Sequence, residues 1–161
     1  MEQNKFNLKE VKVHRTLEAM VFEIAFAIMT IIVWGIIIWM IQQAPDIVPT
    51  HFDASGKPNA YGSPSGIIIP CIILTAVAIL CMGIAYFPRH INMPFKITNI
   101  HQVEWTIRFT RVMGITLLLT PLAFVYMMLG MSSPSPAPFF AVFGLLHLEI
   151  IAFIILIYKA K

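Results

Sequence analysis

The sequence predicts an all-α fold, a four-helix transmembrane bundle. Two observations carry this reading. The 161 residues are 58% hydrophobic and only 12% charged, about half the charge of a soluble domain, which leaves too little polar surface for a water-exposed fold. The apolar residues also gather in four runs, each close to the roughly 20 residues a helix needs to cross hydrocarbon. Backbone amides in hydrocarbon must be paired within the segment, so runs of this length are read as helices.

Residues 1–19 are polar, carry Lys5, Lys9, Lys12 and Arg15, and read as a cytoplasmic amphipathic segment in which Asn7-x-x-Glu10 has capping-box spacing. Residues 20–161 form the membrane domain. Its first span, 20–41, is too long for a signal-peptide core and is expected to be retained; Ala44-Pro45 closes it. A loop, 42–65, leads to the second span, 66–87, which tolerates Pro70 in its first turns and stops before Pro88. The third span, 112–131, carries Pro121 in its middle, which predicts a kink. Asn99-x-x-Gln102 ahead of it reads equally well as the start of an interfacial helix or of an extension of the span. Ser132 to Pro138 reads as a non-helical turn, and 138–158 is the fourth span.

Direction follows from Lys and Arg. Ten of the eleven lie in the N-terminal segment, the second loop with its flank, and the C-terminus; only Lys57 lies in the first loop. The positive-inside bias therefore predicts cytoplasmic termini and an extracytoplasmic loop 42–65. Trp39 and Tyr158 stand at the levels of the two aromatic belts. The basic residues sit between apolar runs, so the bilayer is the expected partner and nucleic acid is not. Cys71 and Cys81 are about 15 Å apart along one helix, too far for a disulfide.

The loop between the first two spans is the most informative stretch. Gly56 after Asp53-Ala54-Ser55 and Gly62 after Asn59-Ala60-Tyr61 mark turns. Pro49 and Pro58 stiffen the segment, and Phe52 and Tyr61 are large anchors. The expectation is an ordered cap over one end of the bundle. His51 and Asp53, at i and i+2, point the same way on an extended segment. Two ligands without a third do not make a metal site, so no metal is expected and their reading is as loop-shaping pins; a metal or catalytic role is the alternative.

The pattern Pro49-Thr50-His51-Phe52-x-x-x-Gly56-x-Pro58-x-x-Tyr61-Gly62, directly after a first span, resembles the membrane-protein family of domain of unknown function 1648, as found in the N-terminal part of SdpI-type immunity proteins. The resemblance implies a multi-pass protein of the bacterial inner membrane. In the SdpI type it also implies protection against a secreted peptide toxin and capture of a repressor at the membrane. This chain departs from that type in having fewer spans, and residues 88–161 show no SdpI-type C-terminal half.

Ionisable residues at membrane depth are functional candidates because an unpaired charge there is costly. Glu23, near the start of the first span, is expected to meet Arg108 or Arg111. His147 and Glu149 in the fourth span diverge by about 200° around a helix. His147 is expected to be neutral and bonded to another helix, and Glu149 protonated or paired. The methionines form no cofactor box, no histidine pair has haem-ligand spacing, and no cofactor is expected. The absence of a nucleophile–base motif favours a non-enzymatic protein that recognises a ligand or partner, such as a peptide toxin or another membrane protein, through its loop. The alternatives are a small transporter or enzyme using Glu149 and His147 or His51 and Asp53, and an accessory subunit of a larger membrane complex.

Overall fold

The computed structural model describes residues 6–53, 57–93, 95–129 and 137–160. Five α-helices and one β-hairpin organise them: α1 (Leu17–Gln43), β1 (Val48–Phe52), β2 (Pro58–Gly62), α2 (Ile68–Ile84), α3 (Ile100–Leu117), α4 (Leu119–Leu129) and α5 (Ala137–Lys159). Four helical stretches are long and apolar enough to cross a membrane: 17–43, 64–84, 100–129 and 140–159. The chain is a multi-pass membrane protein.

Local chemistry sets the boundaries. The Thr16 hydroxyl accepts the Ala19 N–H at 3.1 Å and opens α1. Ala44 is extended at φ −72°, ψ 149°, as a residue before proline must be. Pro64 begins a 3₁₀ turn capped by Ser63, which runs straight into α2. Pro138 lies in the first turn of α5, where its missing N–H has no partner to lose. Ala137 and Pro138 are thus helical, against the expected turn through Pro138, and residues 132–136 of that turn lie outside the described ones.

The third span departs most from expectation. Its helix starts at Ile100 rather than 112, so the Asn99 motif extends the span. Asn99 Oδ1 accepts the Gln102 N–H at 2.9 Å, while Gln102 Oε1 turns to the Thr98 N–H at 2.8 Å. Polar residues along this helix satisfy themselves locally: the Thr106 and Thr110 hydroxyls donate to carbonyls four residues back, at 2.8 and 2.7 Å. The helix breaks at Leu118, between α3 and α4. Pro121 explains the break, since its ring excludes the carbonyl of Leu117 and offers no N–H to it. The other motif, Asn7-x-x-Glu10, opens only a 3₁₀ turn over Leu8–Glu10, not an amphipathic helix.

The third span is the hub. α2 and α5 both pack along α3 and α4, and α1 packs on α4. At one end Val33, Ile37, Val48, Ile67, Cys71 and Val125 form a core under the hairpin. At the other, Ile97, Val103 and Ile107 meet Phe6, Leu8 and Val11 from the N-terminal segment. The α5 terminus is tied there too: Asn99 Nδ2 donates to the Ala160 carbonyl at 2.9 Å and Gln102 Nε2 to the Ile157 carbonyl at 3.4 Å. Gln102 is 1% exposed. Replacing it with Leu strands the Thr98 N–H and leaves Asn99 as the remaining hydrogen bond to the end of α5. The expected cost is about 2 kcal/mol, seen as faster amide exchange confined to residues 156–160 and 98–102.

Candidate functional site

The loop between α1 and α2 holds an antiparallel hairpin, so the all-α expectation is corrected to α-helical with a two-stranded sheet. Val48 pairs with Gly62, Pro49 with Tyr61, His51 with Ala60 and Phe52 with Pro58, and Thr50 is left as a bulge. The bulge accommodates Pro49, which cannot donate to a ladder. The two sides of the ribbon differ. Val48 is buried, and Phe52 packs on the core of α1, α2 and α4. Thr50, His51, Asn59, Ala60 and Tyr61 face outward. Gly62 sits close to the opposite strand: a Cβ there would lie 3.2 Å from Thr50 Cγ2, a tight contact that the exposed threonine would have to relieve.

His51 and Asp53 work apart. His51 Nδ1 lies 2.5 Å from Asn59 Oδ1 across the hairpin. Asp53 closes the turn: its N–H donates to the Lys57 carbonyl at 2.8 Å, and its Oδ1 accepts the Lys57 N–H at 3.0 Å. Gly56 falls outside the described residues. Among the described residues no three His, Cys, Asp or Glu side chains are grouped to hold a metal ion.

A second constellation sits where α1, α2 and α3 meet, at the end away from the hairpin. Glu23 accepts from Arg15 Nε at 2.8 Å and from the Tyr86 hydroxyl. It does not meet Arg108, which binds Glu18 through Nε at 2.7 Å and a terminal nitrogen at 3.2 Å. Arg111, 3% exposed, stacks 5.4 Å over the Tyr86 ring and lends its charge to both Glu18 and Glu23. The bond to Glu23 favours the protonated Tyr86 phenol and raises its pKa above the ordinary value. The expected pairing missed Arg15, which lies outside the apolar runs, and Tyr86, which lies in the second run but carries no formal charge to mark it as a carboxylate partner.

In α5 the two polar residues diverge as the helical spacing requires. His147 is exposed on the outer side of the helix, its Nδ1 2.7 Å from the Phe143 carbonyl of its own helix rather than on another helix. Glu149 turns inward, where Oε1 accepts the Thr116 hydroxyl of α3. Its Oε2 and the Thr120 hydroxyl are buried with no hydrogen-bond partner among the described residues.

The comparisons with known proteins agree with the loop motif. An uncharacterized protein of Archaeoglobus fulgidus is 34% identical over 71 residues, covering 39% of this chain and 39% of its own length. This chain thus spans well under half of that relative. No solved structure matches. Residues 28–75, from the middle of α1 through the hairpin into α2, match the family model described as Domain of unknown function (DUF1648). The hairpin with its two flanking helix halves is therefore the segment that is similar to this family.

Proposed function

We propose that this chain is a non-enzymatic protein of the bacterial cell membrane that binds a peptide or another membrane protein through the outer side of its hairpin, as immunity and signalling membrane proteins do. The observation that carries the reading is the two-sidedness of the ribbon. Val48 and Phe52 fix it to the bundle, while Tyr61 stands 63% exposed beside His51 and Asn59. An aromatic held out on a braced strand loses little entropy on binding, which suits it to be an anchor for a partner. His51 faces an amide oxygen rather than a hydroxyl or thiol, an arrangement suited to shape and not to nucleophilic catalysis. The excess of Lys and Arg at the opposite end supports an extracytoplasmic hairpin and cytoplasmic termini.

The test uses single cysteines in a background lacking Cys71 and Cys81. Asn59→Cys should react with an impermeant maleimide in intact cells and Lys96→Cys only after lysis. A photo-crosslinking residue at Tyr61 should give a discrete adduct that the same residue at Leu148, on the exposed side of α5, does not. Labelling of Lys96→Cys in intact cells, or no Tyr61-specific adduct, would sink the reading. A second reading, an accessory subunit, draws on His147: an exposed imidazole midway along α5 is costly against lipid and would be covered by a neighbouring helix.

A further inference from the structure

Between α3 and α5 runs a groove with a cavity of about 160 Å³, whose lining includes Trp105, Arg108, Phe109, Glu149, Ala152 and Phe153. The helices are antiparallel, so Trp105 lies at the end nearest the termini and Glu149 lies deeper. Seven residues of helix separate Glu149 from Leu156, which gives the groove a length of about 10 Å. Its wall is aromatic: Phe109 and Phe153 stack with centroids 4.2 Å apart. Apart from Arg108 and Glu149, its lining is apolar.

The two charges do not neutralise each other. Arg108 is occupied by both oxygens of Glu18, at 2.7 and 3.2 Å, and its guanidinium lies 5.4 Å from the centre of the Trp105 ring. Among the described residues Glu149 has a donor in Thr116, and Oε2 has none. A carboxyl in hydrocarbon with half its acceptor capacity unused is stabilised by whatever brings a donor, and most by a donor that brings positive charge. Glu149 borders the groove with Oε2 itself buried beneath an apolar lining, so a turn of its side chain gives this channel the complementarity of a molecule with an apolar body and a cationic N–H head.

We propose that this groove binds a hydrophobic primary amine, with the ammonium on Glu149 and the chain along Phe109, Ala152 and Phe153. The site is separate from the hairpin and belongs to the second half of the chain, outside the DUF1648 match. Arg108 at the shallower end disfavours a second cation and orients the amine head inward. Thr116 holds the carboxyl in place and is a positioning residue.

Trp105 supplies the readout. In nanodiscs, brominated dodecylamine should quench the Trp105 fluorescence saturably, that component being isolated by comparison with Trp105→Phe. Brominated dodecanoic acid at equal membrane loading should quench no more than bulk lipid exchange does. Glu149→Gln should raise the half-saturating amine concentration at least tenfold while circular dichroism and gel filtration remain those of the parent. Ala152→Phe, which fills the groove and leaves the acid, should abolish saturable quenching, so the test stands even where Glu149→Gln folds poorly. Equal quenching by amine and acid would overturn the site, as would unchanged half-saturation in a folded Glu149→Gln or retained saturable quenching in Ala152→Phe. The hairpin reading survives either outcome, because neither variant touches residues 48–62.

Discussion

Gly114→Leu should lower the stability of the protein by about 3 kcal/mol, a fall in Tm of roughly 6–12 °C for a chain of this size. Gly114 lies where α3 crosses α2. A Cβ added there would stand 2.8 and 2.9 Å from Met82 Cγ and Sδ, and 3.3 Å from the Met82 backbone nitrogen. The side chain can swing aside, but the backbone cannot, so a bulky residue must part the two helices. Small residues are what allow membrane helices to approach this closely. Gly144 on α5 is the control, because a Cβ there meets nothing within 4 Å. Gly144→Leu should leave Tm within a degree or two of the parent. Met82→Ala combined with Gly114→Ala should recover more stability than the separate losses allow, a coupling that a double-mutant cycle measures.

Glu23→Gln is expected to lower Tm by a few degrees, through the bond to Tyr86 and the buried Arg111 more than through the exposed Arg15. One carboxylate serves Arg15 and Tyr86 directly and offsets the buried Arg111. The substitution also has a signature in pH. The bond to Glu23 raises the Tyr86 pKa. Its contribution to stability is therefore complete below the ordinary phenol range and is lost as pH rises through the elevated folded value. The parent should lose Tm on alkaline titration more steeply than Glu23→Gln does, and its Tyr86 phenolate absorbance should appear at higher pH. Identical alkaline profiles would mean that Tyr86 does not lean on Glu23.

The four spans were legible because hydrocarbon leaves a chain few options. The end of the first span was legible at Ala44, before Pro45, whereas the Thr16 cap went unread and the first helix starts at Leu17, ahead of the expected 20. The start of the third span was ambiguous for a physical reason. Residues 100–111 carry His101, Gln102, Glu104, Arg108 and Arg111, which read as polar surface until one knows that Gln102 and Arg111 are buried and engaged. The hairpin was hidden by Pro49, which argues against a strand unless a bulge absorbs it. The loop motif pointed to the right segment but not to its bonds. That His51 finds Asn59, and Asp53 the backbone of Lys57, depends on strand register. Glu149 was legible as an anomaly of composition; its donor, Thr116, lies 33 residues away, and no local pattern names it.

Val48 sits in a core whose other wall is built from Val125, Met128 and Leu129 of α4, about fifty residues beyond the end of the matched domain at residue 75. The hairpin unit is thus not self-sufficient. Cut free at residue 84, it would present Val48, Ile67 and Cys71 as a bare seam. A chain that carries this unit needs a helix of matching contour in the place of α4 to cover that seam, so the tilt of the hairpin is set by a residue stretch the unit does not itself contain.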